Sequence, residues 1–226
     1  MTACDCWVTI LAGEGRMQGQ QAIEQDLAAE TGLPVSVEDG LRAGLYRLLG
    51  TLFSHAPDST LLDQIAAASG DDSALGRAVT ALATAAGDTT PEAVAAEHEA
   101  VFVGLVQGEV IPYASHYITG FLYDRPLAHL RDDLDRLGLA RADGAAEPED
   151  GIASLCEVMA VLIEGSLGVT AGGDDQRTIF TAHLAPWVGQ FCADLAAAPS
   201  ALFYKAVAEL GQSFFEVEGE CILLND

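Results

Sequence analysis

The chain has 226 residues, half of them hydrophobic but only 7% aromatic, a mixture that favours packed helices over strands. Its 34 acidic and 10 basic residues give a formal net charge of −24, which disfavours nucleic acid and anionic membrane as partners. The acids are spread along the whole chain, so the excess has two interpretations: attraction of a basic peptide, or adaptation to high salt. The composition favours an all-α fold, and the helical spacing along the chain predicts a single-domain bundle of about eight to ten helices.

Cysteine usage and hydropathy predict the compartment. The five cysteines, an odd number without a Cys-x-x-Cys pair, favour a reducing, cytoplasmic setting. No apolar run approaches the ~20 residues that span a bilayer, so we expect no stable membrane insertion. The apolar segment Trp7 to Ala12 is not preceded by a basic region, which argues against a secretory signal.

Residues 1–35 are predicted to form an N-terminal arm. A possible strand from Trp7 to Leu11 precedes Gly13 and Gly15, and a helical pattern follows from Gln20 to Glu30. This order is similar to that of a nucleotide site, but Gln18 stands where the dinucleotide fingerprint requires its third glycine. We therefore expect an irregular arm rather than a nucleotide site.

From Ser36 onward the sequence is typical of successive capped helices in one domain, residues 36–216, followed by a tail, residues 217–226. Ser36 with Asp39 forms an approximate capping box, and Thr90 before Pro91 is an N-cap followed by proline. The apolar spacing predicts helices over residues 36–55, 58–68, 73–86, 90–102, 115–123, 124–137, 148–165, 175–184, 187–198 and 201–215.

The spacings that common catalytic sites require are missing from the sequence. No glutamate is followed by a histidine three residues later, and the His-Glu-x-x-His, P-loop and Gly-x-Ser-x-Gly patterns do not occur. We therefore expect no catalytic residues, no cofactor and no metal site. A catalytic or nucleotide-hydrolysing helical protein remains the alternative from another functional class.

Three short segments each have an ordinary structural interpretation. His98 and Phe102 lie on the apolar side of a helix that stops at Gly104. Pro112-Tyr113 is typical of a rigid turn with an amphipathic anchor. The segment 147–150, Glu-Pro-Glu-Asp, has the proline and acids that helix N-termini favour.

The order of these segments resembles that in the TorD/DmsD/NarJ family of molybdoenzyme maturation chaperones. The matching motifs are Val101-Phe102-x-Gly104, Pro112-Tyr113-x-Ser115, Glu147-Pro148-x-Asp150, Phe180-x-x-His183-Leu184-x-Pro186-Trp187 and Ala201-Leu202-Phe203-Tyr204. The likeness covers roughly residues 36–216. Gly151 departs from the pattern, since the family has histidine there, which puts one polar contact of the family's site in doubt.

The resemblance implies a cytoplasmic chaperone without catalytic turnover. Its partner would be a molybdopterin-dependent oxidoreductase precursor, bound by its twin-arginine signal peptide, its immature body or both. A NarJ-like assembly factor for a non-exported subunit is the alternative within the family, and a homodimer with exchanged helices remains open. Residues matching the family's peptide-binding region are His98, Val101, Phe102, Pro112, Tyr113, Ser115 and Asp150.

The chemistry of these residues suits peptide binding. Val101, Phe102, Pro112 and Tyr113 are expected to line a groove for a leucine-rich segment. The carboxylates expected to meet paired arginines through charge-assisted hydrogen bonds are those of Glu147, Glu149 and Asp150.

Overall fold

A computed structural model describes residues 36–104, 107–140, 147–166 and 173–224, and the regular structure in these ranges is helical, which confirms the all-α prediction. Two π-helical segments, Glu99–Val103 and Phe180–Leu184, continue the fourth and eighth helices. The α-helices of the described ranges are α1 (Val37–Ser54), α2 (Ser59–Ala66), α3 (Ala74–Gly87), α4 (Pro91–His98), α5 (Ala114–Thr119), α6 (Arg125–Arg136), α7 (Ile152–Glu164), α8 (Gly173–Ile179), α9 (Val188–Ala197) and α10 (Phe203–Leu224).

The predicted helix starts are confirmed where a side chain caps the first turn. The hydroxyl of Ser36 accepts a hydrogen bond from the Asp39 amide at 3.0 Å, which starts α1. Three further helices begin in the same way, α2 at Asp58, α3 at Ser73 and α4 at Thr90. Local sequence is sufficient for these starts because the cap and the amide it binds lie within one turn.

The core is organised around α1, which lies against α7, and α10, which lies against α3 and α9. Gly50 allows α1 and α7 to approach closely, since a Cβ at this position would lie 3.3 Å from the Ala153 carbonyl oxygen and the Cys156 Cβ. Aromatic rings connect α1 with α10. The ring of Tyr46 meets Phe214 edge-on with centroids 4.7 Å apart.

A buried ion pair ties the last helix to the first. Two nitrogens of Arg42, Nε and Nη2, donate to the Glu218 carboxylate at 3.0 and 2.6 Å. The Tyr46 hydroxyl donates to the same carboxylate at 3.3 Å, and Asp39 accepts from Arg42 Nη1 at 2.8 Å. The Glu218 side chain is 0% exposed, so Arg42 and Tyr46 compensate for the loss of its hydration.

Two helix boundaries in the middle of the chain differ from the prediction. Helix α5 ends at Thr119 rather than Tyr123, because Gly120 follows it in the left-handed conformation (φ 81°). Helix α7 begins at Ile152 rather than Pro148, because the residues before it pair with the start of α5 instead of continuing the helix.

The last helix also differs, since α10 continues to Leu224 instead of stopping at Phe215, and so extends into the segment predicted as a tail. Burial of Glu218 and Cys221 accounts for the extension. The predicted strand at residues 7–11 and helix at residues 20–30 lie outside the described residues. Within the described residues, helices both long and apolar enough to cross a membrane are absent.

Replacing Arg42 with alanine tests the buried ion pair. We expect Arg42→Ala to lower the free energy of unfolding by about 3–5 kcal/mol, because the Glu218 carboxylate then stays buried without its cation. Arg131→Ala is the matched control, since Arg131 pairs with Glu149 while its own side chain is 50% exposed, and it should cost at most about 1 kcal/mol. Urea unfolding followed by circular dichroism measures both. Equal losses in the two variants would contradict the assignment.

Candidate functional site

Two of the sequence motifs meet in a short antiparallel bridge between Tyr113 and Gly151. The Ala114 amide donates to the Asp150 carbonyl oxygen and the Ile152 amide donates to the Pro112 carbonyl oxygen, each at 2.9 Å. These hydrogen bonds hold the starts of α5 and α7 together.

Side chains reinforce the same bridge. The Asp150 carboxylate accepts the buried Ser115 amide at 2.9 Å, so it caps the first turn of α5. The Tyr113 hydroxyl donates to the Glu147 carboxylate. Burial, followed by the hydrogen bond to Glu147, raises the pKa of Tyr113 above its ordinary value. The position of the Tyr113 ring is therefore fixed from both of its ends.

Gly151 lies close to one edge of the Tyr113 ring. A Cβ at this position would lie 3.3 Å from the ring carbon Cε1, closer than most side-chain contacts. Its backbone φ of −68° is open to any residue, so space rather than backbone strain favours glycine here. A histidine at this position would require the Tyr113 ring to move.

The π-helical turn that ends α4 supplies the next part of the site. It closes at Gly104, whose φ of 63° is accessible to few residues other than glycine. The ring of Phe102 packs edge-on against Tyr204 with centroids 5.2 Å apart, and His98 lies 5.0 Å from the Phe102 ring. The extra residue of this turn alters the helical register at Phe102.

A groove of about 530 Å³ lies between these elements. Helix α1 and the residue after it contribute one wall, which includes Arg47, Phe53 and His55. The first turns of α7, which packs against α1, contribute further lining residues, including Glu157. Five of the predicted binding residues line the groove, namely His98, Phe102, Pro112, Tyr113 and Glu147.

The other predicted residues do not line it. Val101 and Ser115 are each 0% exposed and Asp150 is 1% exposed, so in this structure all three serve the core and the bridge. Glu149 binds Arg131, whose Nη2 donates to its carboxylate at 2.8 Å. A binding role for any of the predicted residues stays a prediction.

Sequence reasoning missed the contribution of α1 and of Glu157. The available signal was Gly50, a glycine inside a leucine-rich helix, which indicates close approach of another element. The side chain of Glu157 is 73% exposed, and the only groove-lining cation within ion-pair range is Arg47 at 3.8 Å, as far as the described residues show.

His98 is packed at the base of the groove. Its ring hydrogen-bonds the Phe53 backbone, while Nε2 is buried without a hydrogen-bond partner in the part of the chain that the structure describes. Burial lowers the pKa of His98 more than the bond to Phe53 raises it. The neutral form is therefore favoured.

Glu97, one residue earlier, has a structural role that the sequence did not indicate. Its carboxylate accepts the backbone amides of Leu202, Phe203 and Tyr204 at 2.8, 3.1 and 2.6 Å. An acid at a helix N-terminus binds otherwise unpaired amides and opposes the helix dipole. The first turn of α10 is thus capped by a residue of α4.

Comparisons with known proteins agree with the fold and the motifs. A family model described as nitrate reductase delta subunit matches residues 68–193, more than half of the chain. The chain belongs to this NarJ/TorD-like family of redox-enzyme maturation chaperones. The resemblance read from the motifs is therefore confirmed.

A solved structure supports the fold of the family. The crystal structure of a candidate redox enzyme maturation protein from Archaeoglobus fulgidus superposes with a TM-score of 0.50. It is 20% identical, and the match covers 77% of this chain and 93% of that one. A search of the curated proteins finds no match. In the described residues, clusters of three or more His, Cys, Asp or Glu suited to a metal ion are absent.

Two substitutions at Asp150 test the bridge. We expect Asp150→Ala to lower the free energy of unfolding by about 1–3 kcal/mol, because the buried Ser115 amide loses its acceptor. Asp150→Asn keeps an acceptor oxygen and should stay within about 1 kcal/mol of the wild type. Chemical denaturation of both variants measures their free energies of unfolding and so tests whether Asp150 caps α5. Equal stability of Asp150→Ala and the wild type would contradict the cap.

The lowered pKa of His98 predicts how stability depends on pH. Its unfolded value is about 6.5, so below that pH the unfolded chain binds more protons and the folded protein loses stability. We expect His98→Gln to flatten, without abolishing, the fall in unfolding free energy between about pH 7 and pH 5.5. Parallel pH profiles for variant and wild type would contradict this assignment.

Proposed function

We propose that the protein is a cytoplasmic maturation chaperone for a molybdopterin-dependent oxidoreductase. It binds the twin-arginine signal peptide of the precursor, its immature body or both, until the cofactor is inserted and the enzyme is exported. The observation that supports this proposal most is the groove, which places apolar side chains and carboxylates of four chain segments side by side.

The apolar part of the groove suits a leucine-rich segment. Its volume of about 530 Å³ lies within the range of about 300–1,000 Å³ typical of ligand pockets. Phe102 and Pro112 provide apolar surface that the π-helical turn and the bridge hold in place. A preformed surface spares the client part of the entropic cost of ordering its binding site.

The carboxylates at the groove suit arginine. Glu147 and Glu157 both line it, and a guanidinium forms two parallel hydrogen bonds with a carboxylate. Arg47 also lines the groove, and its strongest contact is with Glu164, to which Nη2 donates at 2.5 Å. A cationic client would compete with Arg47 for Glu157.

Asp150 and Ser115 could take part in client binding only if the bridge opens. Asp150 Oδ1 and the Ser115 hydroxyl are buried, and neither has a hydrogen-bond partner among the described residues. Buried polar groups of this kind are uncommon and need an explanation. A client donor reaches these two atoms only after a local rearrangement of the bridge.

A NarJ-like assembly factor for a non-exported catalytic subunit is the second candidate. It is favoured by the family model, which is described as nitrate reductase delta subunit. Such a factor would bind an N-terminal segment of the subunit that lacks paired arginines.

Calorimetric titration with a synthetic signal peptide separates the two candidates. We expect binding that weakens when both arginines of the peptide are replaced by glutamine and when the salt concentration rises. Binding of a mature subunit without binding of any signal peptide would instead support the assembly factor.

Matched variants of the protein test the groove. Glu157→Gln should weaken binding of the arginine-containing peptide by up to about fivefold, because the Glu157 side chain is 73% exposed and an exposed ion pair contributes about 0.2–1 kcal/mol. Glu92→Gln is the control, since Glu92 is exposed in the first turn of α4 and does not line the groove. The groove assignment is wrong if both variants bind like the wild type.

A further inference from the structure

The turn between α5 and α6 presents large apolar side chains to solvent. Phe121 and Tyr123 are each 72% exposed, and Ile118 and Leu122 are 45% and 44% exposed. These side chains fall within residues 118–123, here named the apolar turn. Single exposed apolar residues are common, but a contiguous group usually marks an interaction surface.

Hydrogen bonds hold the backbone of the apolar turn in one conformation, and this conformation exposes its side chains. The Thr119 hydroxyl donates to the Ser115 carbonyl oxygen at 2.9 Å and lies 3.4 Å from the Phe121 amide. Asp124 accepts the Arg125 amide at 2.7 Å at the start of α6. Tyr123 adopts φ 59°, a conformation that costs a non-glycine residue about 1–3 kcal/mol. Such strain is found most often at functional sites.

The apolar turn is continuous with the groove. Tyr113, which lines the groove, is the N-cap of α5, and the apolar turn begins at Ile118 in the last turn of the same helix. Six helical residues span about 9 Å, so the two surfaces are within reach of one extended or helical segment. Tyr123 is near enough to Tyr113 to contribute, after burial and Glu147, to its raised pKa.

Charge decides which occupant suits this surface. Each copy of the chain carries a net charge of −24, so two copies repel one another and self-association through the apolar turn is disfavoured. A segment that combines positive charge with apolar side chains is attracted by the same field and buries the exposed rings.

We propose that the apolar turn docks the apolar segment of a cationic client polypeptide, beside the part of that client held in the groove. The proposal rests on the chaperone function proposed above and adds a second contact surface to it. Aromatic side chains of this kind dominate the affinity of many interfaces.

The double variant Phe121→Ser/Tyr123→Ser tests the proposal. The probe is a synthetic peptide with two adjacent arginines followed by a leucine-rich segment, titrated by calorimetry. We expect its affinity to fall about tenfold or more in the variant, as for interface hot spots. Leu202→Ser is the matched control, because Leu202 is apolar, 81% exposed and lies at the start of α10. Unfolding midpoints of both variants check that the fold is intact.

Each outcome has a distinct meaning. If the wild type binds the peptide and the double variant binds it equally well, the apolar turn is not a docking surface, while the chaperone function stands. If the wild type binds no such peptide, the signal-peptide function falls, and this proposal falls with it. If sedimentation shows that the wild type self-associates and the double variant does not, the turn is an interface between copies and the proposal is overturned.

Discussion

The groove depends on one short antiparallel bridge between segments that lie far apart in the chain. Asp150 contributes both its carbonyl oxygen and its carboxylate to the first residues of α5. This pairing fixes where α5 and α7 begin, and with them the ring of Tyr113 and the carboxylate of Glu147. Apolar surface and negative charge are therefore held together by hydrogen bonds within the chain.

The helices that could be predicted from the sequence are those determined by residues close together in the chain. Caps such as Ser36 and Thr90, and the leucine stripes that follow them, act within one or two turns, so helix number and order follow from spacing. The burial of Asp150 has a different cause, because its partner, the Ser115 amide, is distant in the chain. Family motifs identified segments that line the groove, but the same motif contains residues that line it, such as Tyr113, and residues that are buried, such as Ser115.

The acid excess has a structural component as well as an electrostatic one. Glu97 caps a helix from a distance, Glu109 accepts the Ser200 amide at 3.0 Å, and Glu218 pairs with the first helix. Several acids therefore determine which helices meet, in addition to giving the surface its sign. These carboxylates have partners within the chain, whereas the Glu157 side chain is 73% exposed.

Helix α10 is anchored near both of its ends by residues of other helices, Glu97 at its start and Arg42 near its end. An exchange of this helix between two copies would have to release both anchors before either could form again in the partner. The intermediate would have lost both anchors together with the burial of the apolar face of α10, which makes the barrier to exchange high. Monomers and any dimers formed by exchanging α10 would consequently interconvert slowly, and the history of a sample would determine which species it contains.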